Sequence, residues 1–315
     1  MFPERRVRAA SGHETGAPVS GDHAKRIEHA FTRQAEAFED ARFNRPFAAG
    51  MEWIFEPLRL TPDDVLLDVA SGTGQAARFL APSVRSVIAL DATEAMLFRG
   101  RAEARRSGLR NVVFQRGDAA QLPFLDGAFD VVVCRFAAHH FEDPAVQVTE
   151  MTRCLRPGGR LALADLVADP DPKIASEQNR LERLRDPSHA RLLSQEELVA
   201  LVVDAGLEVE AVVAREREWP LEPWLAQTGA SVAVATDIRA RLSFELAGGP
   251  ATGLRPREAD GELHFKQTFV SVLAASTSQG RTSRLAPATC VAPAQRVAPR
   301  CCRDMTTWSN LTKES

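Results

Sequence analysis

The chain has 315 residues, 44% of them hydrophobic and 26% charged, an ordinary balance for one large core or two modest ones. A formal charge of −3 and the lack of a basic stripe exclude nucleic acid as the expected partner. No apolar run approaches the ~18–20 residues that cross a bilayer, and five irregularly spaced cysteines argue against a disulfide framework or a zinc site.

The start carries Arg5, Arg6 and Arg8 without the apolar stretch of a secretory leader, so a reducing cytoplasm is the expected compartment. Charge is unevenly spread. From Ser276 to Ser315 six Lys/Arg face two Asp/Glu, a net of +4, which leaves −7 for residues 1–275. An acidic body suits cationic or neutral small ligands. Tyrosine is absent, which removes one common general base and anchor.

Residues 1–22 show no periodicity and read as disordered. From about Ala24 the residues Ile27, Ala30, Phe31, Ala35 and Phe38 recur at helical spacing, either as a core face or as a lid over a ligand. A second helix is expected from about Pro46 to Leu58, with Trp53, Ile54 and Phe55. After the turn Thr61-Pro62-Asp63-Asp64, strands are expected at 65–69, 85–90, 111–115, 129–134 and 160–165. Helices at 74–81, 93–107 and from Asp143-Pro144 to Leu155 alternate with them, the last capped by Asp and opened by Pro. Continuously apolar strands alternating with helices mean a parallel sheet covered on both faces.

The alternation breaks at Ala168. A polar helix at about 174–185, a turn at Arg185–His189, and a helix opened by the capping box Ser194–Glu197 and ended by Gly206 follow. A strand at 207–214, a helical stretch at 222–247 and a last strand at 263–274 complete the domain. The segments 24–58, 168–193 and 218–262 stand outside the repeating pattern and are the expected lid, within a domain spanning 23–275. The Ala-, Pro- and Arg-rich tail 276–315, with Cys301 and Cys302, reads as disordered.

Gly72-Thr-Gly74-Gln-Ala-Ala77 fits G-x-G-x-x-G/A, and Asp91 lies where a ribose would be held, so a dinucleotide oxidoreductase is one reading. The acids favour another. A carboxylate at Asp68, at the end of the strand, repels a pyrophosphate on the following helix and suits a ligand with an ammonium and a sulfonium. S-adenosylmethionine has both and no phosphate. Asp91 then accepts from the ribose hydroxyls and Asp118 from the adenine amino group, with the Ala119 N–H donating back. One such acid alone is ordinarily a cap or a solvated loop end. Three after three successive strands stand where open α/β sheets bind ligands.

Asp68-Val-Ala-Ser-Gly-Thr-Gly74, Ala89-Leu-Asp91-Ala-Thr-Glu-Ala-Met96-Leu97, Gly117-Asp118-Ala119, Leu122-Pro123-Phe124, Phe129-Asp130-Val131-Val132 and Leu155-Arg156-Pro157-Gly158-Gly159 follow in order. Over about residues 24–275 the chain thereby resembles the class I SAM-dependent methyltransferases, in the branch of the ubiquinone/menaquinone C-methyltransferases. The resemblance implies an α/β, Rossmann-like, seven-stranded and mostly parallel sheet with helices on both faces, an antiparallel last strand and small helical lid insertions. It implies S-adenosyl-L-methionine as cofactor, held by Asp68, Ala70, Gly72, Thr73, Gly74, Asp91, Ala92, Met96, Asp118, Ala119 and Arg135. Phe31 and Phe38 fall on aromatic lid positions. Ala70 replaces the first glycine of the pattern and is small enough for close approach.

Methyl transfer is an in-line displacement, and the protein must align the nucleophile at about 3–3.5 Å and exclude water. A base is needed only where the nucleophile carries a proton. Arg135-Phe-Ala-Ala-His139-His140, after the fourth strand, should face the methyl group, which makes His139 and His140 the candidate bases or loop braces. His189 is a weaker candidate. Trp53, Phe55, Trp219 and Trp224 are either core or walls of an apolar pocket for a flat small molecule. No metal and no membrane span is expected. A SAM-binding protein without catalysis is the alternative.

Overall fold

The computed structural model describes residues 21–40 and 51–277. The central strands form from apolar runs with no polar alternation, so they are buried on both faces. β1 (Val65–Val69), β2 (Ser86–Asp91), β3 (Val112–Arg116), β4 (Phe129–Arg135) and β5 (Leu155–Val167) are parallel, in the order β3-β2-β1-β4-β5. β8 (Glu262–Ser276) follows β5 antiparallel, and β6 (Leu207–Pro220) pairs antiparallel on its far side. The chain order reverses between β1 and β4, whose carboxyl ends therefore open a crevice.

The helices are α1 (Asp22–Gln34), α2 (Glu52–Phe55), α3 (Gln75–Leu80), α4 (Glu94–Arg106), α5 (Pro144–Cys154), α6 (Pro172–Arg185), α7 (Gln195–Asp204), α8 (Leu221–Gln227) and α9 (Val232–Leu246). Along β1 the side chains alternate between two cores. Val65, Leu67 and Val69 meet Met151 and Leu198, whereas Leu66 meets Ile54, Leu80 and Val131. Ser194 opens α7 with the expected capping box. No helix among the described residues is long and apolar enough to cross a membrane.

Three expectations change. The sheet has eight strands, because β7 (Arg257–Ala259) forms a short hairpin with the start of β8. The stretch 222–247 is two helices, broken where Gly229 takes φ +69° between α8 and α9. Helix α2 has four residues, with 3₁₀ turns after it at Glu56–Leu58, and 41–50 lies outside the described residues. The disorder expected for 1–22 and 276–315 also falls outside them, except that α1 starts at Asp22 and β8 ends at Ser276.

β6 and β8 are longer than their apolar runs, and their pairing continues to Pro220↔His264 while β5 stops at Val167↔Thr268. This extension carries Trp219 and Phe265 into a third core with Leu181, Trp224, Ile238, Leu254 and Phe269. The lid over the carboxyl ends of the strands is thus anchored by its own buried aromatics.

Gly100 of α4 lies against the glycine turn, where a Cβ would stand 2.5 Å from the Thr73 carbonyl oxygen. Backbone on one side leaves no flexible group to yield. Gly100→Ala should therefore cost about 2 kcal/mol or more in urea unfolding, despite the higher helix propensity of alanine.

Candidate active site

The turn after β1 runs through left-handed backbone at Ala70 (φ +53°), Gly72 (φ +56°) and Gly74 (φ +71°). A buried carboxylate, Asp68, and a half-buried one, Asp91, hold it. Asp91 accepts from the Gly72 N–H at 2.8 Å and, through its other oxygen, from the Thr93 N–H at 2.8 Å. Asp68 accepts from the Ala77 N–H at 2.9 Å, a free donor in the first turn of α3. Ala70 is not a neutral replacement for glycine, since a Cβ at this φ is strained by roughly 1–2 kcal/mol.

One large cavity, of about 560 Å³, lies above this turn. Phe31, Phe38, Ala70, Gly72, Asp91, Ala92, Asp118, Ala119, Arg135, His139 and His140 all line it. Asp68, Thr73, Gly74 and Met96 do not; they lie beneath the wall. Asp68 is 1% exposed and Met96 is fully buried in α4. Thr73 gives its hydroxyl to Glu39, and Gly74 precedes α3 with the Phe114 ring against it. These four lie behind the residues that form the wall.

The lid helix closes over the turn. Phe38 places a ring carbon 3.6 Å from where a Cβ of Gly72 would stand, and its carbonyl accepts from Gln75. Glu39 also pairs with Arg78 at 2.6 Å. Phe31 meets Phe38 and the His140 ring edge to face, at 6.5 and 5.0 Å between centroids. His23 donates to the His140 carbonyl at 2.8 Å.

Asp165, at the end of β5, takes both the backbone N–H of His139, at 2.8 Å, and its Nδ1–H, at 2.7 Å. This fixes the tautomer that leaves Nε2 unprotonated. Asp165 raises the His139 pKa above its ordinary 6.5, against the opposing effect of burial. His140 donates its Nδ1–H to the Ser188 carbonyl at 3.0 Å, and burial beside His139 lowers its pKa to about 4. His189, bonded to Asn179 at 3.1 Å, is held neutral by burial. The three rings cluster, with His139 4.1 Å from His140 and 5.4 Å from His189 between centroids. Among the described residues no group of acids, histidines or cysteines is placed to hold a metal ion.

The far wall comes from Glu182, Arg185 and Trp224 of the 168–193 and 218–262 segments, together with Phe136 after β4, Leu166 of β5 and Gln267 of β8. Phe136 has φ +57°, a strained conformation for an aromatic residue at a cavity wall. Of the aromatics expected to form a pocket, only Trp224 reaches the cavity; Trp53, Phe55 and Trp219 pack in the cores. Sequence reasoning did not single out Asp165, Glu182 or Gln267. Asp165 carried a signal, an acid ending an apolar strand, whereas Gln267 carried none.

A model of the methyltransferase domain matches residues 67–163. The methyltransferase YcgJ of Bacillus subtilis is 38% identical over 176 residues, 55% of this chain and 68% of its own length. The chain belongs to this methyltransferase family. The YcgJ crystal structure superposes with a TM-score of 0.66 at 27% identity, over 73% of this chain and 98% of that one. A ubiquinone/menaquinone biosynthesis C-methyltransferase of Dinoroseobacter shibae is 42% identical over 113 residues, 35% of this chain and 45% of its own length. The methyltransferase has the mixed, mostly parallel sheet of the class I fold, and its cofactor is S-adenosylmethionine.

The wall suits that cofactor. Asp68, beneath the wall, already takes the Ala77 N–H that a phosphate at the start of α3 would draw on. Ser71 Oγ and Gln147 Oε1, on residues of the wall, have no partner among the described residues and suit a ligand rich in hydroxyl and ammonium donors. Asp91 and Asp118 both line the cavity, and Arg135, which bonds Gln75 at 3.1 Å, lines it too.

Burial raises the Asp68 carboxyl to about 7 from 3.8, although Arg135 beside it opposes the shift. The proton is therefore held more tightly in the fold than in the unfolded chain. The stability this group contributes is full below pH 4 and is lost as the pH rises through 7. Between pH 5 and pH 8 the protein should lose roughly 2 kcal/mol more stability than its Asp68→Asn variant, measured by urea unfolding.

Proposed function

We propose that the methyltransferase transfers the methyl group to an O, N or C nucleophile of a small apolar or aromatic molecule, and that His139 takes the proton the nucleophile gives up. The His139–Asp165 pair carries this reading. A base at neutral pH needs a defined tautomer, an open nitrogen and a pKa near the working pH. Asp165 supplies the first and raises the third, and His139 lies on the cavity wall between the glycine turn and the lid.

S-adenosylmethionine, when bound, supplies an electrophilic methyl carbon on a sulfonium. The residues of the wall would hold the acceptor's nucleophile beside that carbon and keep water out. The proton of the nucleophile passes to His139 Nε2, and the imidazolium is stabilised by Asp165 through Nδ1–H. His140 and His189 stay neutral beside it, since a second charge 4.1 Å away would cost too much in a buried site. Phe31, Phe38 and the aromatic lid exclude water.

Two measurements test this. Calorimetry should detect binding of S-adenosylhomocysteine, and no binding would remove the cofactor from the proposal. With an acceptor found by labelled-methyl screening, His139→Gln should lower kcat/KM by about 10²–10⁴. The acid limb of the pH profile should lie above pH 6.5 and shift to lower pH in Asp165→Asn, because the base must be neutral to act. An unshifted limb, or full activity in His139→Gln, would deny His139 this role.

A further inference from the structure

The far end of the cavity has a polar arrangement that methyl transfer itself does not need. Glu182 of α6 is 2% exposed and Gln267 of β8 is 1% exposed, and both line the cavity. Gln267 Nε2 donates to Glu182 Oε1 at 2.6 Å. The other Glu182 oxygen takes Arg185 at 3.2 Å, and the Arg185 guanidinium lies 4.2 Å from the centre of the Trp224 ring. A carboxylate only accepts, so the Gln267 amide has one tolerable orientation, with its NH₂ on Glu182. Its carbonyl oxygen is left with no partner among the described residues. A buried acceptor without a donor is costly, and a ligand that brings the donor recovers that cost.

Charge at this end narrows the ligand further. Glu182 and Asp186 line it, and Asp165 stands behind His139. The Arg185 guanidinium is already engaged by Glu182 and by the Trp224 carbonyl at 3.3 Å, and the Arg135 guanidinium, 4.8 Å from the centre of the Phe136 ring, bonds Gln75. Asp186 takes the Ser188 N–H and hydroxyl, donors that suit its charged form. An incoming carboxylate or phosphate would face this surplus of negative charge without a free cation. Leu166, Leu192 and the Trp224 ring complete the wall and suit a flat apolar body.

We propose that the methyl acceptor is an uncharged, flat molecule that carries, besides its nucleophile, a hydroxyl or amino hydrogen for Gln267 Oε1, and that carboxylated and phosphorylated molecules are turned away. Gln267 is then a specificity-determining residue, and Glu182 and Arg185 position it. This rests on the methyl-transfer reading for the place of the acceptor in the cavity.

The test uses the full chain and four probes on one skeleton: 4-phenylphenol, 3,4′- and 4,4′-dihydroxybiphenyl, and 4′-hydroxybiphenyl-4-carboxylate. Each is titrated by calorimetry, with S-adenosylhomocysteine present and absent. At least one diol should bind about tenfold more tightly than 4-phenylphenol, the worth of about one buried hydrogen bond, and the carboxylate at least tenfold more weakly than that diol. In Gln267→Leu, or in Gln267→Met where the first does not fold, the advantage of the diol should fall below twofold while S-adenosylhomocysteine binds as in the wild type. Equal binding of diols and 4-phenylphenol overturns the proposal. So does tight binding of the carboxylate, an advantage that survives in the variant, or binding of none of the four by protein that does bind S-adenosylhomocysteine. Failure of S-adenosylhomocysteine to bind the wild type counts against the methyl-transfer reading instead, and the four probes still report on Gln267.

Discussion

The turn after β1 depends on two carboxylates that face it from opposite sides. Asp91 holds the Gly72 N–H from the neighbouring strand, and Asp68 holds the Ala77 N–H from below. Without them two backbone donors at the start of α3 would be free to bind an anion. With them the same backbone presents a negative surface. Burial raises the pKa of both acids, so each carries a solvation cost in the absence of a cationic ligand. A ligand bearing an ammonium and a sulfonium offsets that cost, and one bearing phosphates increases it. The turn that elsewhere cradles a pyrophosphate is in this way converted to the opposite preference by residues beside the glycines.

That conversion explains which parts of the site are legible in sequence. The parallel strands show as unbroken apolar runs, and an acid that ends one points to the carboxyl edge of the sheet. Asp91, Asp118 and His139 stand on the cavity wall for that reason. Asp68, Thr73, Gly74 and Met96 belong to the same motifs, yet they lie beneath the wall. Motif membership does not separate a residue that touches a ligand from one that holds the residue that does. The distinction is set by the side to which each side chain faces: Asp68 is 1% exposed inside β1 and Met96 is fully buried in α4.

The lid is less legible, for a different reason. β6 alternates between half-buried and exposed positions over much of its length and is amphipathic only in part, so its run past Ala214 reads as a charged loop. What makes it a strand is β8, whose partners extend to His264. Tertiary pairing decides such a segment, and local propensity does not. Gln267 sits in the middle of that pairing, next to no motif. Its part in the cavity follows from α6 coming within 2.6 Å through Glu182, a contact across 85 positions of sequence.

The two ends of the cavity also divide the electrostatic work around one titratable ring. His139, His140 and His189 lie within 6.4 Å of one another, so their charges compete and at most one of them is readily protonated near neutral pH. Asp165 decides which. It bonds His139 by both backbone and ring, while His140 finds only a carbonyl and His189 only an amide oxygen. A carbonyl or amide oxygen fixes a tautomer without favouring the cation as a carboxylate does. The outer histidines consequently act as uncharged braces that tie the 182–189 turn to the loop after β4, through His140 to Ser188 and through the Ala190 N–H to the His139 carbonyl at 2.9 Å. The 182–189 segment is thereby coupled to the candidate base: a displacement of it would move His139 relative to the glycine loop.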